Sequence, residues 1–385
     1  MPSEIKAAIF RNLDLGDLLN VMRLGGIDRD EALFAFRRIE KTALAQQIFA
    51  QVCQGNTRIV PFCQAMALDI ATLTKAENDR TLLMEAIRHH HPVIVRQLLA
   101  LPKIDVNAAD RNRLSALHFV ALNNDDAISA QLLAQPGVNI HAVNHLGSTA
   151  LHCAAAFGHV AVLELLLARR EINVNAGDHI GATPLHYAAM TLGPADVAKD
   201  MLAGKITAIQ QLLATPGIDV NRCDNDGCTP LQLAAKDGLD PIVHRLLSAP
   251  GINADCADSL GYTALLSALA LLRTDIAIRL IALPDIDINS AQAEGWTALH
   301  YAATQGNTVL VDLLLRKPNI QINRRQNDGW TPLHCAVLNG HTQAIRRLLD
   351  EPDIDIKATD NYGCNALFYA LIRREGGITR LLKER

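Results

Sequence analysis

The sequence predicts an all-α solenoid: stacked helix pairs, each followed by a hairpin turn, behind a small helical N-terminal module. Three observations carry this reading. A Thr-Pro-Leu-His-like tetrad recurs at Thr81, Ser115, Thr149, Thr183, Thr229, Thr263, Thr297, Thr331 and Asn365, with every interval 34 residues except that from Thr183 to Thr229, which is 46. Apolar residues between tetrads fall at helical spacing. Hydrophobic residues are 49% of the chain but aromatics only 4%, so the core is built from Ala, Leu, Ile and Val.

The repeat beginning at Thr149 shows the elements in order. Its tetrad opens a short first helix that runs to about Phe157. Thr caps such a helix with its hydroxyl, and Pro, where present, suits the first turn. Gly158 then breaks it, since glycine tolerates the left-handed conformation of a helix end. A second helix runs from His159 to about Ala168, with Val162, Leu163, Leu166 and Leu167 on one side. The segment Ile-Asn-Val-Asn leads into a turn carrying Asp178 and Gly181. A single pair cannot bury its apolar face, so it must stack on its neighbours.

The stretches GATPLHYAA, GHVAVLELLL and IDVN followed by Asp and Gly resemble the ankyrin repeat. The resemblance covers residues 76–385 as nine repeats and implies an ankyrin-repeat solenoid that binds partner proteins. The period of 34 departs from the usual ankyrin period of about 33. The extra residue lies after the second helix, where Pro102, Pro136, Pro216, Pro250, Pro284, Pro318 and Pro352 stop the helix and stiffen the loop.

The recurring polar residues read as structural. His118, His152, His186, His300 and His334 recur one repeat apart and cannot converge on one ion; the resemblance implies that each bonds backbone at a repeat boundary. Cys153 and Cys335 follow the tetrad His, in a slot where other repeats carry Phe119, Tyr187, Tyr301 and Phe368, which marks a packing site. The eight cysteines include no CxxC pair, which suits a reducing cytosol. Residues 224–227 hint at a calcium loop, but the remaining ligand spacing is absent. Residues 89–91, three histidines, end a first helix and read as a solvated helix end, with adventitious metal binding as the alternative. No GxSxG, P-loop, HExxH or dinucleotide signature occurs, so no catalytic residue, cofactor or metal is assigned.

The residue before the tetrad varies: Leu114, Ser148, Ala182, Cys228, Tyr262, Trp296, Trp330, Cys364. Such variation argues against a packing position, and in ankyrin proteins this place lies on the exposed turn beside the concave face. Tyr262, Trp296 and Trp330 therefore form a candidate row of binding rings. The alternative is that each ring lies down on the neighbouring turn. Glu294, Asn327, Asp328 and Tyr362 flank the rings on the turns, and Gln305, Leu338 and Asn339 end first helices.

Two regions depart from the pattern. The 12-residue insertion near residues 192–203 falls between two helices, where Pro194 opens a short helix with Val197 and Met201 or Leu202 on one side. It is either a second contact site or a tolerated bulge. At the N-terminus, residues 46–75 read as a degenerate helix pair capping the stack, with Pro61 in its second helix as a departure. Residues 1–45 form a separate helical module. Its opening resembles an F-box through Pro2, Glu4, Ile5, Ile9, Leu13, Asp14, Asp17 and Leu18, although the Cys and Trp that usually follow are missing. The resemblance implies docking to a Skp-type ubiquitin-ligase linker; the alternative is a plain cap.

A net charge of −4 favours no nucleic-acid partner. No apolar run is long enough to span a bilayer. The sequence thus predicts a monomeric, cytoplasmic, non-catalytic scaffold that binds a protein on its ankyrin face. The alternatives are an F-box-type adaptor, possible also for a bacterial effector in a host cytosol, and, third, an enzyme with an unrecognised site.

Overall fold

Helix pairs follow one another along the whole of the computed structural model, which describes residues 41–191 and 195–384. The chain divides into two compact units, Met1–His179 and Ile180–Arg385. The first holds α1 (Lys41–Cys53), α2 (Ile59–Ala65), α3 (Leu82–Arg88), α4 (Pro92–Leu99), α5 (Ala116–Asn123), α6 (Asp126–Leu133), α7 (Ala150–Phe157) and α8 (Val160–Leu167). The second holds α9 (Pro184–Ala189), α10 (Ala195–Leu213), α11 (Pro230–Asp237), α12 (Asp240–Leu247), α13 (Ala264–Ala270), α14 (Thr274–Ile281), α15 (Ala298–Gln305), α16 (Thr308–Leu315), α17 (Pro332–Leu338), α18 (Thr342–Asp350), α19 (Ala366–Ile372) and α20 (Gly376–Lys383). Among the described residues there are no strands, only isolated bridges such as Ala291 to Thr297.

Each first helix of a repeat starts at its tetrad because the backbone there is extended and a side-chain oxygen, a hydroxyl or the Asn365 amide, is placed to cap. The Thr81 and Thr229 hydroxyls each accept an N–H three residues on at 3.3 Å. At Ser115, Thr149, Thr183, Thr297 and Thr331 a reciprocal capping box forms with the tetrad His. Gly306 ends α15 at φ +65°, and a Cβ there would lie 2.4 Å from the His341 ring. Both the conformation and the close approach demand glycine. Within each unit first helices pack on first helices and second on second, α15 on α17 and α16 on α18 for example. The interior is aliphatic, with Leu299, Ala302, Val311 and Leu314 fully buried.

Adjacent turns are joined by one backbone bond per step, as from Ser259 N to Asp226 O (2.8 Å) and from Asn327 N to Glu294 O (2.9 Å). The Asn of the Ile-x-Val-Asn loop adds a two-way link. Asn221 Nδ2 donates to Gly251 O (2.8 Å) and its Oδ1 accepts from Asn253 N (2.8 Å).

The insertion differs from expectation. Rather than forming a short helix of its own, its described part continues without a break into the second helix as α10, which has 19 residues where its counterparts have about eight. At 1.5 Å per residue α10 is about 28 Å long. Pro194 lies outside the described residues. Lys205, only 3% exposed, points from α10 to the end of α9 and donates to Tyr187 O (3.2 Å) and Met190 O (2.5 Å). A cation at these terminal carbonyls complements the helix dipole. Burial lowers its pKa to about 8, partly opposed by Asp237.

Near the N-terminus, α1 spans the boundary drawn at residues 45 and 46. Pro61 is no obstacle to α2, because it lies in the first turn, where an N–H has no helical partner. Phe368 is corrected: it stands three residues after Asn365, in the tetrad-His position, donates its N–H to Asn365 Oδ1 (3.0 Å) and is 44% exposed. Tyr369 occupies the packing slot instead.

Candidate functional site

The turns of the second unit are rigid because their own side chains close them. Asp258 Oδ1 accepts the N–H groups of Leu260 (3.0 Å) and Tyr262 (2.8 Å). Asp360 Oδ1 does the same for Tyr362 and Cys364, both at 2.9 Å. In the two tryptophan turns the same place is held by Gln292 and Gln326, which accept from Glu294 N and Asp328 N. Asx-type closure fixes the backbone on either side of each ring.

The rings are half-buried. Trp296 packs against Tyr301 at 5.2 Å and His300 at 6.0 Å between centroids. Tyr301 donates its hydroxyl to Tyr262 at 3.2 Å, so Tyr262, Trp296 and Tyr301 make one cluster. Trp330 forms a second, with Tyr369 edge-on at 6.2 Å and its Nε1 donating to Asp360 Oδ2 at 3.3 Å. Tyr369 also donates to that oxygen. Burial alone would push the Asp360 carboxyl up. Hydrogen bonds from Tyr369, Cys364, Tyr362 and Trp330 outweigh it and hold the group below the usual carboxylate range. The bond to Asp360 raises Tyr369 to about 12.

The position before the tetrad is therefore a packing position as well as a surface one. Ser148, Ala182 and Cys228 are buried there, while Leu114, Cys364 and the three rings are half-buried. Variation at this position is therefore compatible with contact and does not mark freedom from it.

The other candidates divide into two groups. Glu294, Asp328 and Tyr362 are exposed on the turns, Tyr362 by 82%. Asn327 is exposed but links turns, donating to Ala293 O (3.0 Å). Gln305 is also a link, reaching back to Leu269 O at 2.5 Å. Leu338 is half-buried, and Asn339 folds back on Cys335 O at 2.9 Å. Sequence reasoning missed Asp360 and Tyr369 as partners of Trp330. The signal was present: Asp360 is the turn Asp of its repeat, and Tyr369 lies four residues after Asn365.

The tetrad histidines are joints. In His300 the Nδ1 accepts from Thr297 N (3.2 Å) and faces the Thr297 hydroxyl (2.8 Å), while Nε2 lies 3.0 Å from Trp330 O. A carbonyl can only accept, so Nε2 carries the proton. Burial lowers its pKa to about 4. His118 and His334 are lowered by burial in the same way. The Cys153 and Cys335 thiols are pushed up to about 12 by burial, which leaves them poor nucleophiles.

Among the described residues, one group of three metal-ligand types converges: Cys53, Glu85 and His89, in the first unit. No described helix is long and apolar enough to cross a membrane. Pro2, Glu4, Ile5, Ile9, Leu13, Asp17 and Leu18 lie outside the described residues.

A family model described as Ankyrin repeats (3 copies) matches residues 117–208, 201–292, 233–326, 273–360 and 311–385, more than half of the chain. No curated protein matches it.

Proposed function

Because the chain belongs to the ankyrin-repeat family, whose repeats generally mediate protein–protein interaction, we propose that it is a non-catalytic scaffold. It holds a partner protein on the turns of its second unit. The observation that carries this is the run of Tyr262, Trp296 and Trp330 in three successive turns. Each ring is half-exposed and fixed by neighbours before any partner arrives. Rigid aromatic rings lose little conformational freedom on binding, which is what makes such residues effective anchors. Exposed Glu294, Asn327, Asp328 and Tyr362 supply a polar rim. The same reading takes residues 76–385 as nine repeats and the protein as a cytoplasmic monomer. Affinity capture with the intact chain and with a Trp296→Ala/Trp330→Ala variant tests it. A protein held by the first and lost by the second supports the reading; identical captured sets contradict it.

A second reading, of an adaptor, rests on the F-box-like order Pro2, Glu4, Ile5, Ile9, Leu13, Asp17, Leu18. Residues 1–45 would dock a Skp-type linker while the turns hold a target. A pull-down of the purified linker by the intact chain, but not by an Ile9→Asp/Leu18→Asp variant, supports it. Absence of binding by the intact chain rejects it.

A further inference from the structure

Glu85 stands where other repeats place Phe119, Cys153, Tyr187, Leu233, Ser267, Tyr301, Cys335 and Tyr369, four residues after the start of the tetrad. It is 1% exposed. A carboxylate so placed needs strong donors. Its Oε1 has no hydrogen-bond partner, and Oε2 accepts one weak bond, from Cys53 Sγ at 3.7 Å. Arg80 at 3.6 Å and Arg88 at 3.7 Å offset its charge beyond hydrogen-bonding distance, and Arg80 bonds Asp110 instead. On the same oxygen converges His89 Nε2, 3.5 Å away.

We propose that Cys53, Glu85 and His89 form a site for a divalent transition metal, with zinc the fitting ion. The packing of α1 on α3 builds it, bringing the last residue of one helix to the middle of the other and to His89, the residue that caps its C-terminus. Zinc bonds of about 2.3 Å to sulfur and 2.0–2.2 Å to nitrogen and oxygen, arranged tetrahedrally, put sulfur and oxygen about 3.6 Å apart and nitrogen and oxygen about 3.4 Å apart. The distances here are 3.7 and 3.5 Å, and all three ligand atoms lie within 4.8 Å of one another. A turn of the His89 side chain, 38% exposed, closes the remaining gap to sulfur. Thiolate and carboxylate neutralise the ion, and water takes the fourth position. On binding, the Cys53 thiol releases its proton to solvent and ligates as thiolate. His91 supports the site from behind, stacking on His89 at 6.2 Å and bonding Cys53 O at 2.9 Å.

The test is cobalt and zinc titration of the full reduced chain after chelator treatment. Cobalt should give a thiolate charge-transfer band saturating at one ion per chain, and zinc should abolish it. Cys53→Ser should remove the band. His89→Ala, at a partly exposed residue that should not disturb folding, should weaken zinc binding at least about tenfold. His90→Ala, at a ring that faces Asp125 instead, should leave binding unchanged. Absence of the band in the folded chain, its survival in Cys53→Ser, or equal effects of the His89 and His90 variants would overturn the proposal.

Discussion

Replacing His300 by alanine should destabilise the second unit far more than replacing it by glutamine. The imidazole is fully buried and joins Thr297 N to Trp330 O. Alanine leaves the Thr297 N–H buried without a partner, at about 1–3 kcal/mol, and adds a cavity, while Trp330 O keeps the N–H of Gln326 (2.9 Å); together the losses come to about 2–5 kcal/mol. Glutamine costs about 1 kcal/mol, because the chain already uses it in this role. Gln232 Oε1 accepts from Thr229 N at 2.6 Å and its Nε2 donates to Tyr262 O at 2.5 Å. The pH dependence supplies a second readout. Burial lowers His300 from 6.5 to about 4. Between those values the unfolded chain takes up a proton that the native chain refuses, so the His300 contribution is complete above pH 6.5 and is lost as pH falls towards 4. The loss is roughly 3 kcal/mol. Urea unfolding followed by circular dichroism across this range measures both effects. Equal damage from alanine and glutamine, or an unchanged acid slope in His300→Gln, would refute the joint.

Asp360→Ala should cost about 3 kcal/mol, because it strips the partner from Tyr362 N, Cys364 N, Trp330 Nε1 and the Tyr369 hydroxyl at once; a midpoint unchanged in denaturant titration would deny that the turn is built on this carboxylate. Deleting residues 192–203 should shorten α10 to ordinary length and leave the remaining helices formed; cooperative loss of helicity would show that the extension is needed by the stack. Trp296→Ala should weaken partner binding by about 2 kcal/mol with helicity retained; full-strength binding in calorimetry would place the interface elsewhere.

The fold was legible because its period is long, repeated and punctuated. Thr, Ser or Asn at each first-helix cap, Gly158 and Gly306 at helix ends and the loop prolines mark the same boundaries that the structure shows. The insertion was less legible, since twelve residues with no repeat to compare against say nothing about whether they join the following helix. The rings were found by composition, since both tryptophans fall at one phase. Their setting was not found, because Tyr301, Asp360 and Tyr369 approach them from other parts of the fold. The histidine run at residues 89–91 was seen, but the convergence of His89 with Cys53 and Glu85 was not, for a related reason. Cys53 and Glu85 are 32 residues apart with no ligand spacing between them, and only the stacking of α1 on α3 unites them.

The most direct test of the scaffold uses the chain's only two tryptophans, Trp296 and Trp330. Both stand half-exposed on the proposed face, so fluorescence excited selectively in tryptophan, beyond tyrosine absorption, reports on that face alone. Acrylamide quenching should be measured for the free chain and for its complex with a captured, tryptophan-free fragment of the partner. Binding on these turns predicts a clear fall in the quenching constant. A stable complex with unchanged quenching would contradict it.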